Sequence, residues 1–158
     1  MVIALVTIKK NFEYKLSDEG VRDSKLISKK KREFLFPIIN EICDEIKINK
    51  IYPKEINKAF EDKISLNYLE VSHFSNSFDK FKNEINTLYL DSPDVIQERF
   101  GIYFQKLSKK PVYVKNIKFK RTKDVKYTKI ISEHKADLKY PVVSAASIIA
   151  KVVRDNEM

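Results

Sequence analysis

The run Glu133-His134-Lys135-Ala136-Asp137-Leu138-Lys139-Tyr140-Pro141-Val142-Val143-Ser144-Ala145-Ala146-Ser147-Ile148-Ile149-Ala150-Lys151 leads from a polar, carboxylate-bearing segment into a helix that opens at Pro141. Proline suits a first helical position, where its missing N–H has no intrahelical partner to lose. Beyond it Val142, Ala145, Ala146, Ile149, Val152 and Val153 fall on one apolar stripe, with Ser144, Ser147, Lys151 and Arg154 on the opposite polar line. Small residues in the first two turns let this helix approach another element closely, and packing is the plain reading of its stripe. The helix is expected to continue to Met158. Ahead of the run, Ile130-Ile131 begins a strand, and Asp137 is expected near its end.

Upstream, strand-like and helix-like stretches keep alternating. Thr87-Leu88-Tyr89-Leu90-Asp91 reads as a short strand that also ends in a carboxylate, and Ser92-Pro93 as the cap and first residue of a helix to about Leu107. Ser65 to Ile85 has helical spacing through Leu66, Leu69, Phe74, Phe78 and Phe81, and Pro53 to Phe60 reads as a shorter helix. The alternation Ile46-Lys47-Ile48-Asn49-Lys50-Ile51 predicts a strand with one wet face. Ser28 caps a helix expected through about Glu45, with Phe34, Leu35, Ile38, Ile39 and Ile42 on its apolar side. Gly20-Val21-Arg22-Asp23-Ser24-Lys25 reads as a loop, and the β-branched run Val2 to Ile8 as a buried strand. Strands interleaved with amphipathic helices predict an α/β fold, with no internal repeat and no boundary inside residues 1–158.

Composition narrows the partners. Of 158 residues 43% are hydrophobic, enough for a core, and the formal net charge of +9 favours a polyanion. Between Lys106 and Lys129 ten Lys/Arg residues face one acid, Asp124, and part of this segment (Val112, Val114, Ile117, Phe119) is strand-like. These cations are expected to add sequence-independent affinity for phosphates. Cys43 is the sole cysteine, which leaves no intrachain disulfide and no cysteine zinc site; it falls on an apolar rhythm and reads as packing. No apolar stretch reaches the roughly 18 residues of a membrane span, and the cytoplasm is the expected location.

Asp91 and Asp137 are the residues on which chemistry can be built. A carboxylate at the carboxyl end of a buried strand stands where open α/β sheets receive ligands, though a turn before a helix explains Asp91 as simply. The plain reading of Asp137 is likewise a polar loop. If their strands are neighbours, two carboxylates about 4 Å apart repel by about 4 kcal/mol at an effective dielectric of 20, and need a proton or a cation between them. Mg²⁺ and Mn²⁺ prefer such oxygen ligands. His73 reads as structural, the run Lys29-Lys30-Lys31-Arg32 as a wet helix face, and His134 has no evident role.

The Glu133 to Lys151 run resembles the signature of archaeal ribonuclease HII nearly residue for residue. Gly20-Val21-Arg22-Asp23-Ser24-Lys25 is similar to that family's Gly-Val-x-Asp-Ser-Lys element, and Glu55-Ile56-Asn57 and Tyr89-Leu90-Asp91-Ser92 follow in the family's order. The resemblance covers essentially the whole chain and is loosest over Lys106 to Lys129. It implies a ribonuclease H-like mixed sheet flanked by helices and four acidic metal ligands, with Asp91 matching the third and Asp137 the fourth. It further implies a divalent cofactor, Mn²⁺ or Mg²⁺, and an endonuclease giving 5′-phosphomonoesters. Its partners would be an RNA–DNA hybrid or ribonucleotide-containing duplex DNA, acted on by a monomer away from membranes. Ser24 and Lys25 match a loop that touches substrate phosphate.

The family's Asp-Glu-Ala-Gly-Arg-Gly motif is not among these residues, and its later Gly-Tyr element would fall beyond Met158. The expectation is therefore a single partial domain, 1–158, without the first central strand and the C-terminal helical part. Such a chain, alone, is expected to be inactive and loosely folded. The alternative reading is a catalytically incomplete, basic nucleic-acid-binding remnant. A resolvase-like nuclease of the same fold is a further rival, which the match over Glu133 to Lys151 opposes.

Overall fold

A computed structural model describes Met1 to Glu157. These residues group into two compact units, one made of Met1–Pro53 with the chain from Asp137 onward, the other of Lys54–Ala136.

In the first unit β1 (Val2–Thr7) pairs antiparallel with β2 (Glu45–Lys50), Ala4 opposite Ile48. Between them lie a short helix α1 (Tyr14–Asp18), a 3₁₀ turn over Ser24–Leu26, and α2 (Lys29–Ile42). Gly20, at φ +85°, makes the left-handed turn out of α1 that a side chain would resist. Ser28 does cap α2, accepting from the Lys31 amide at 3.1 Å. The helix ends at Ile42, short of Glu45, because Asp44 and Glu45 already donate their amides to the Thr7 carbonyl and hydroxyl. After a four-residue helix α6 (Ala136–Lys139), α7 (Pro141–Asn156) closes the unit.

The stripe of α7 is turned slightly from its predicted position. Ala145, Ile148, Ile149 and Val152 are its buried apolar residues, packed with Ala4, Leu16, Leu35 and Ile39, while Val142 and Val153 are half-buried. Each fully buried aliphatic side chain contributes about 1.5–3 kcal/mol. Ser144 belongs to this buried side and not to the wet line, because its hydroxyl donates to the Asp137 carbonyl. The helix closes at Asn156 with Glu157 as its C-cap, where the expectation ran on to Met158, a residue outside those described.

The second unit is a parallel sheet in the order β3-β5-β4, from β3 (Thr87–Asp91), β5 (Thr128–Glu133) and β4 (Val112–Val114). Among the described residues β3 pairs with β5 alone, and β1 with β2 alone. Preceding the sheet are α3 (Pro53–Glu61) and α4 (Leu66–Asp79). The latter stops six residues before the predicted Ile85, since the Lys110 ammonium caps its end through the carbonyls of Phe78 (3.2 Å) and Phe81 (2.8 Å).

Next comes α5 (Gln97–Leu107), which packs on α4 through Phe78 and Phe104, their ring centroids 5.3 Å apart and edge to face. It begins at Gln97 and not at Ser92-Pro93. The Ser92 amide is taken by the Glu133 carbonyl, and the side chains of Ser92 and Asp94 accept from the amides of Asp94 and Ile96, which holds residues 92–96 in turns. Gly101 lies against β5 and β4, 2.9 Å from the Ser132 Cβ as measured from where its own Cβ would stand. The strand expected as far as Phe119 is only the three residues of β4.

Candidate metal and substrate site

Asp91 is the last residue of β3, in register with Glu133 of β5, and its side chain is exposed. Two bonds lace these strand ends together and a third ties them to the start of α5. The Ser92 amide donates to the Glu133 carbonyl at 2.9 Å, the His134 amide to Gln97 Oε1 at 3.1 Å, and the Ala136 amide to Asp91 Oδ1 at 3.2 Å. His134 Nε2 meets the Asp94 carbonyl at 2.6 Å. A strand end bridged at this many points fixes the direction of the carboxylate it carries. His134, for which the sequence offers no role, is part of that bridging.

Glu70 of α4, not singled out by the sequence, joins Asp91. Burial, and then the Asp91 charge, push its carboxyl above the usual carboxylate range. The one signal available was its position between Leu69 and Val71 in a helix otherwise read for its apolar side. His73, on the same helix, pairs with Glu55 at 2.6 Å, which agrees with a structural role.

Asp137 does not end a strand. β5 ends at Glu133, and Asp137 lies in the first turn of α6, 6% exposed. Its carboxyl is pushed up by burial, then by the charge of Asp23, with Lys25 pulling the other way. Within this unit the acid whose charge raises Asp137 is Asp23. Asp23 is 9% exposed and also accepts from the Lys25 amide at 3.1 Å, which shapes the 3₁₀ turn.

Ser24 is fully buried. Its hydroxyl accepts from Lys151 Nζ and lies 2.9 Å from the Ser147 hydroxyl, pinning the turn to α7. Burial first, then the positive charges of Arg32 and Arg154, hold the Lys151 ammonium below its usual range. Lys25 is exposed. Arg32 is not part of a wet face like Lys29 to Lys31. It donates to the Ile27 carbonyl at 2.8 Å and pairs with Asp155 at 3.4 Å.

Asp91 and Asp137 fall in different units. Among the described residues no three His, Cys, Asp or Glu side chains converge in a metal-holding group. The donors are nevertheless of the type hard divalent cations take: carboxylate oxygens, in two pairs, each with one member raised by its neighbour's charge. Glu70 with Asp91 in one unit, and Asp23 with Asp137 in the other, are carboxylates of that donor type.

No helix is long and apolar enough to cross a membrane among the described residues. The family model for ribonuclease HII matches residues 1–158. A ribonuclease HII of Methanococcus maripaludis is 44% identical over 157 residues, covering 98% of this chain and 58% of its own length. One from Thermococcus sibiricus is 40% identical, covering 98% of this chain and 61% of its own length. Among solved structures, ribonuclease H2 from Pyrococcus horikoshii OT3 superposes with a TM-score of 0.77 at 32% identity, over 99% of this chain and 74% of the other. The chain therefore spans about three fifths of the length of the curated relatives it matches.

Proposed function

The chain belongs to the ribonuclease HII family, and from that membership we propose that it forms part of an endonuclease acting on RNA–DNA hybrids and on ribonucleotides embedded in duplex DNA. The reaction is metal-assisted hydrolysis that leaves 5′-phosphomonoesters. Asp91 and Asp137 are the ligands we assign to Mn²⁺ or Mg²⁺. The bound ions would supply an activated water and a stabilised leaving oxygen. Glu70 and Asp23 set the charge around the two ligands, Lys25 reaches a substrate phosphate, and Ser24 holds the turn that carries it. The two units act as parts of one ribonuclease H-like domain in a cytoplasmic monomer.

One observation supports this reading: Asp137 and Asp23 are both buried, and the Asp23 charge adds to burial in raising the Asp137 carboxyl. A remnant that only bound nucleic acid would have no use for carboxyls crowded in this way, and the family match adds no support to it.

The test is made in the full-length protein with a duplex carrying one ribonucleotide and Mn²⁺ or Mg²⁺. Asp91→Asn should abolish cutting and Asp137→Asn should impair it severely, with folding retained, since each change removes a negative ligand and keeps its shape. Wild-type rates in either variant overturn the assignment. In the same assay the polypeptide of residues 1–158 alone should cut little, because Asp91 and Asp137 are the matched ligands it contains.

A further inference from the structure

Residues 115–129, from the end of β4 into β5, carry seven Lys/Arg side chains, with Asp124 the one acid among them. Tyr113, Lys129 and Thr87 stand in register across the three strands. Val114, Ile130 and Ser132 face α5 at Gly101, so strand alternation places the Tyr113–Lys129–Thr87 row on the other face of the sheet. The loop folds back toward this row. The Arg121 guanidinium lies 4.5 Å from the Tyr113 ring centroid. Tyr127 packs edge to face on Tyr113 at 6.4 Å and on Phe119 at 6.0 Å, and its hydroxyl accepts from the Thr122 amide at 2.9 Å. The result is a hollow of about 530 Å³ whose lining includes Thr87, Tyr113, Arg121, Lys123, Lys126 and Lys129.

A merely solvated loop does not account for two of these features. Phe119 and Val125 leave apolar surface in water, 46% and 40% exposed, among ammonium groups that repel one another. The aromatic side chains also form a connected row, Tyr113 to Tyr127 to Phe119, with a cation stacked at one end. Lys126 is balanced by Glu84 at 3.0 Å, so Arg121, Lys123 and Lys129 give the hollow its excess positive charge.

Cations set beside one exposed and two half-buried rings match a chain of phosphates alternating with planar bases. A duplex keeps its bases stacked on each other and offers its surface phosphates; an unpaired strand offers both. An acidic peptide would meet the charge but leave the rings unused. From these contacts we propose that the face of the sheet bearing Tyr113 and Lys129 is an accessory site for an unpaired nucleic-acid strand flanking the duplex being cut, with no sequence preference. This deepens the nucleic-acid reading above and rests on it. A nucleotide base stacks on the Phe119–Tyr127–Tyr113 row while Arg121, Lys123 and Lys129 hold the phosphates beside it.

The full-length protein is titrated by fluorescence anisotropy against a blunt RNA–DNA hybrid and the same hybrid with an oligothymidylate tail. The tail should tighten binding, and Phe119→Ser combined with Arg121→Gln and Lys123→Gln should abolish that increment, read as the ratio of tailed to blunt affinity within each protein so that any loss on the blunt hybrid cancels. One lost stacked base costs about five- to 150-fold. Loss of two phosphate contacts should flatten the log–log salt slope of the tail increment by about 1.4, at about 0.7 per contact on a single strand.

Equal affinity of the wild type for tailed and blunt hybrids overturns the proposal, as does a variant that keeps the increment. Competition by polyglutamate as strong as that by oligothymidylate also overturns it, in favour of an acidic protein segment. If the triple variant melts early, Lys123→Gln alone, at an exposed loop position, must reduce the increment or the proposal fails. Tail binding that survives in a protein that cuts no substrate refutes the enzymatic reading and leaves the accessory site standing, so the two failures are distinguishable.

Discussion

Gly101→Ala sets two effects of known sign against each other. Alanine is favoured over glycine in a helix interior by about 1 kcal/mol, so on propensity alone α5 gains. Where α5 crosses the sheet, however, the new methyl would lie 2.9 Å from the Ser132 Cβ, 3.1 Å from Val114 Cγ1 and 3.4 Å from Ile130 Cγ2. The first of these is a contact between two Cβ atoms, which no rotamer change relieves. Retreat of β5 is blocked as well, because it is bonded to β3 on one edge and β4 on the other. Overpacking of this kind costs about 1–3 kcal/mol, and rigid neighbours on both strands place it in the upper part of that range. The Gly101 amide also donates to Ser132 Oγ at 3.2 Å, a buried bond worth about 1 kcal/mol that a displaced helix would stretch. The net expectation is a loss of about 1–2 kcal/mol in the full-length protein, read from the midpoint of urea unfolding at unchanged slope. Ser132→Gly in the same chain removes the 2.9 Å contact and should recover part of the loss, a coupling that a double-mutant cycle isolates. Ser132 also donates to the Gln97 carbonyl, and Gln97 Oε1 accepts from His134 beside the Asp91 strand end. Cutting should therefore fall further than the fraction unfolded explains. A Gly101→Ala protein as stable as the wild type would show that α5 does not bear on the sheet as described.

Two further expectations concern titration in the first unit. Burial, and then the Asp44 charge, push the Cys43 thiol up to about 12, so it stays protonated at neutral pH. At pH 8 only about one thiol in ten thousand is then a thiolate, and alkylation should be negligible in the native protein but complete in urea; rapid native labelling would contradict the burial. The Arg154 side chain, and then that of Arg32, hold the Asp155 carboxyl below the usual range against a smaller opposing effect of burial. A depressed folded pKa stabilises the protein above the unfolded value and ceases to do so as pH falls through the folded one. The melting temperature should accordingly drop on acidification below about pH 4, and Asp155→Asn should remove that part of the drop. An acid profile identical in the two proteins would mean that the Arg32–Asp155 tie between α2 and α7 contributes nothing.

What the sequence displayed was the preference of each segment, and what it hid was how distant segments meet. The Val2 run, the Pro141 opening and the cap at Ser28 are local, and each stands where it was expected. The end of α4 was hidden because Lys110, far along the chain, takes the carbonyls of Phe78 and Phe81. The start of α5 was hidden because Ser92 spends its amide on Glu133 across the sheet, though Ser-Pro is a sound helix opening in isolation. Ser144 has the spacing of a wet residue, yet the carbonyl of Asp137 supplies the partner that lets its hydroxyl be buried.

The same distinction governs the site. Asp91 and Asp137 were legible because each stands in a motif, but the carboxyls that raise or share their charge are not in those motifs. Burial and then the Asp91 charge raise Glu70 of α4, and burial and then the charge of Asp23, in the turn ahead of α2, raise Asp137. A carboxylate becomes a candidate metal ligand through a neighbour that makes its proton exchangeable for a cation, and that neighbour can come from any element the fold brings near. Asp23 stands in the Gly20 to Lys25 motif beside Ser24 and Lys25. Its charge, after burial, raises the Asp137 carboxyl, so the two most specific stretches of the chain are linked through their acids.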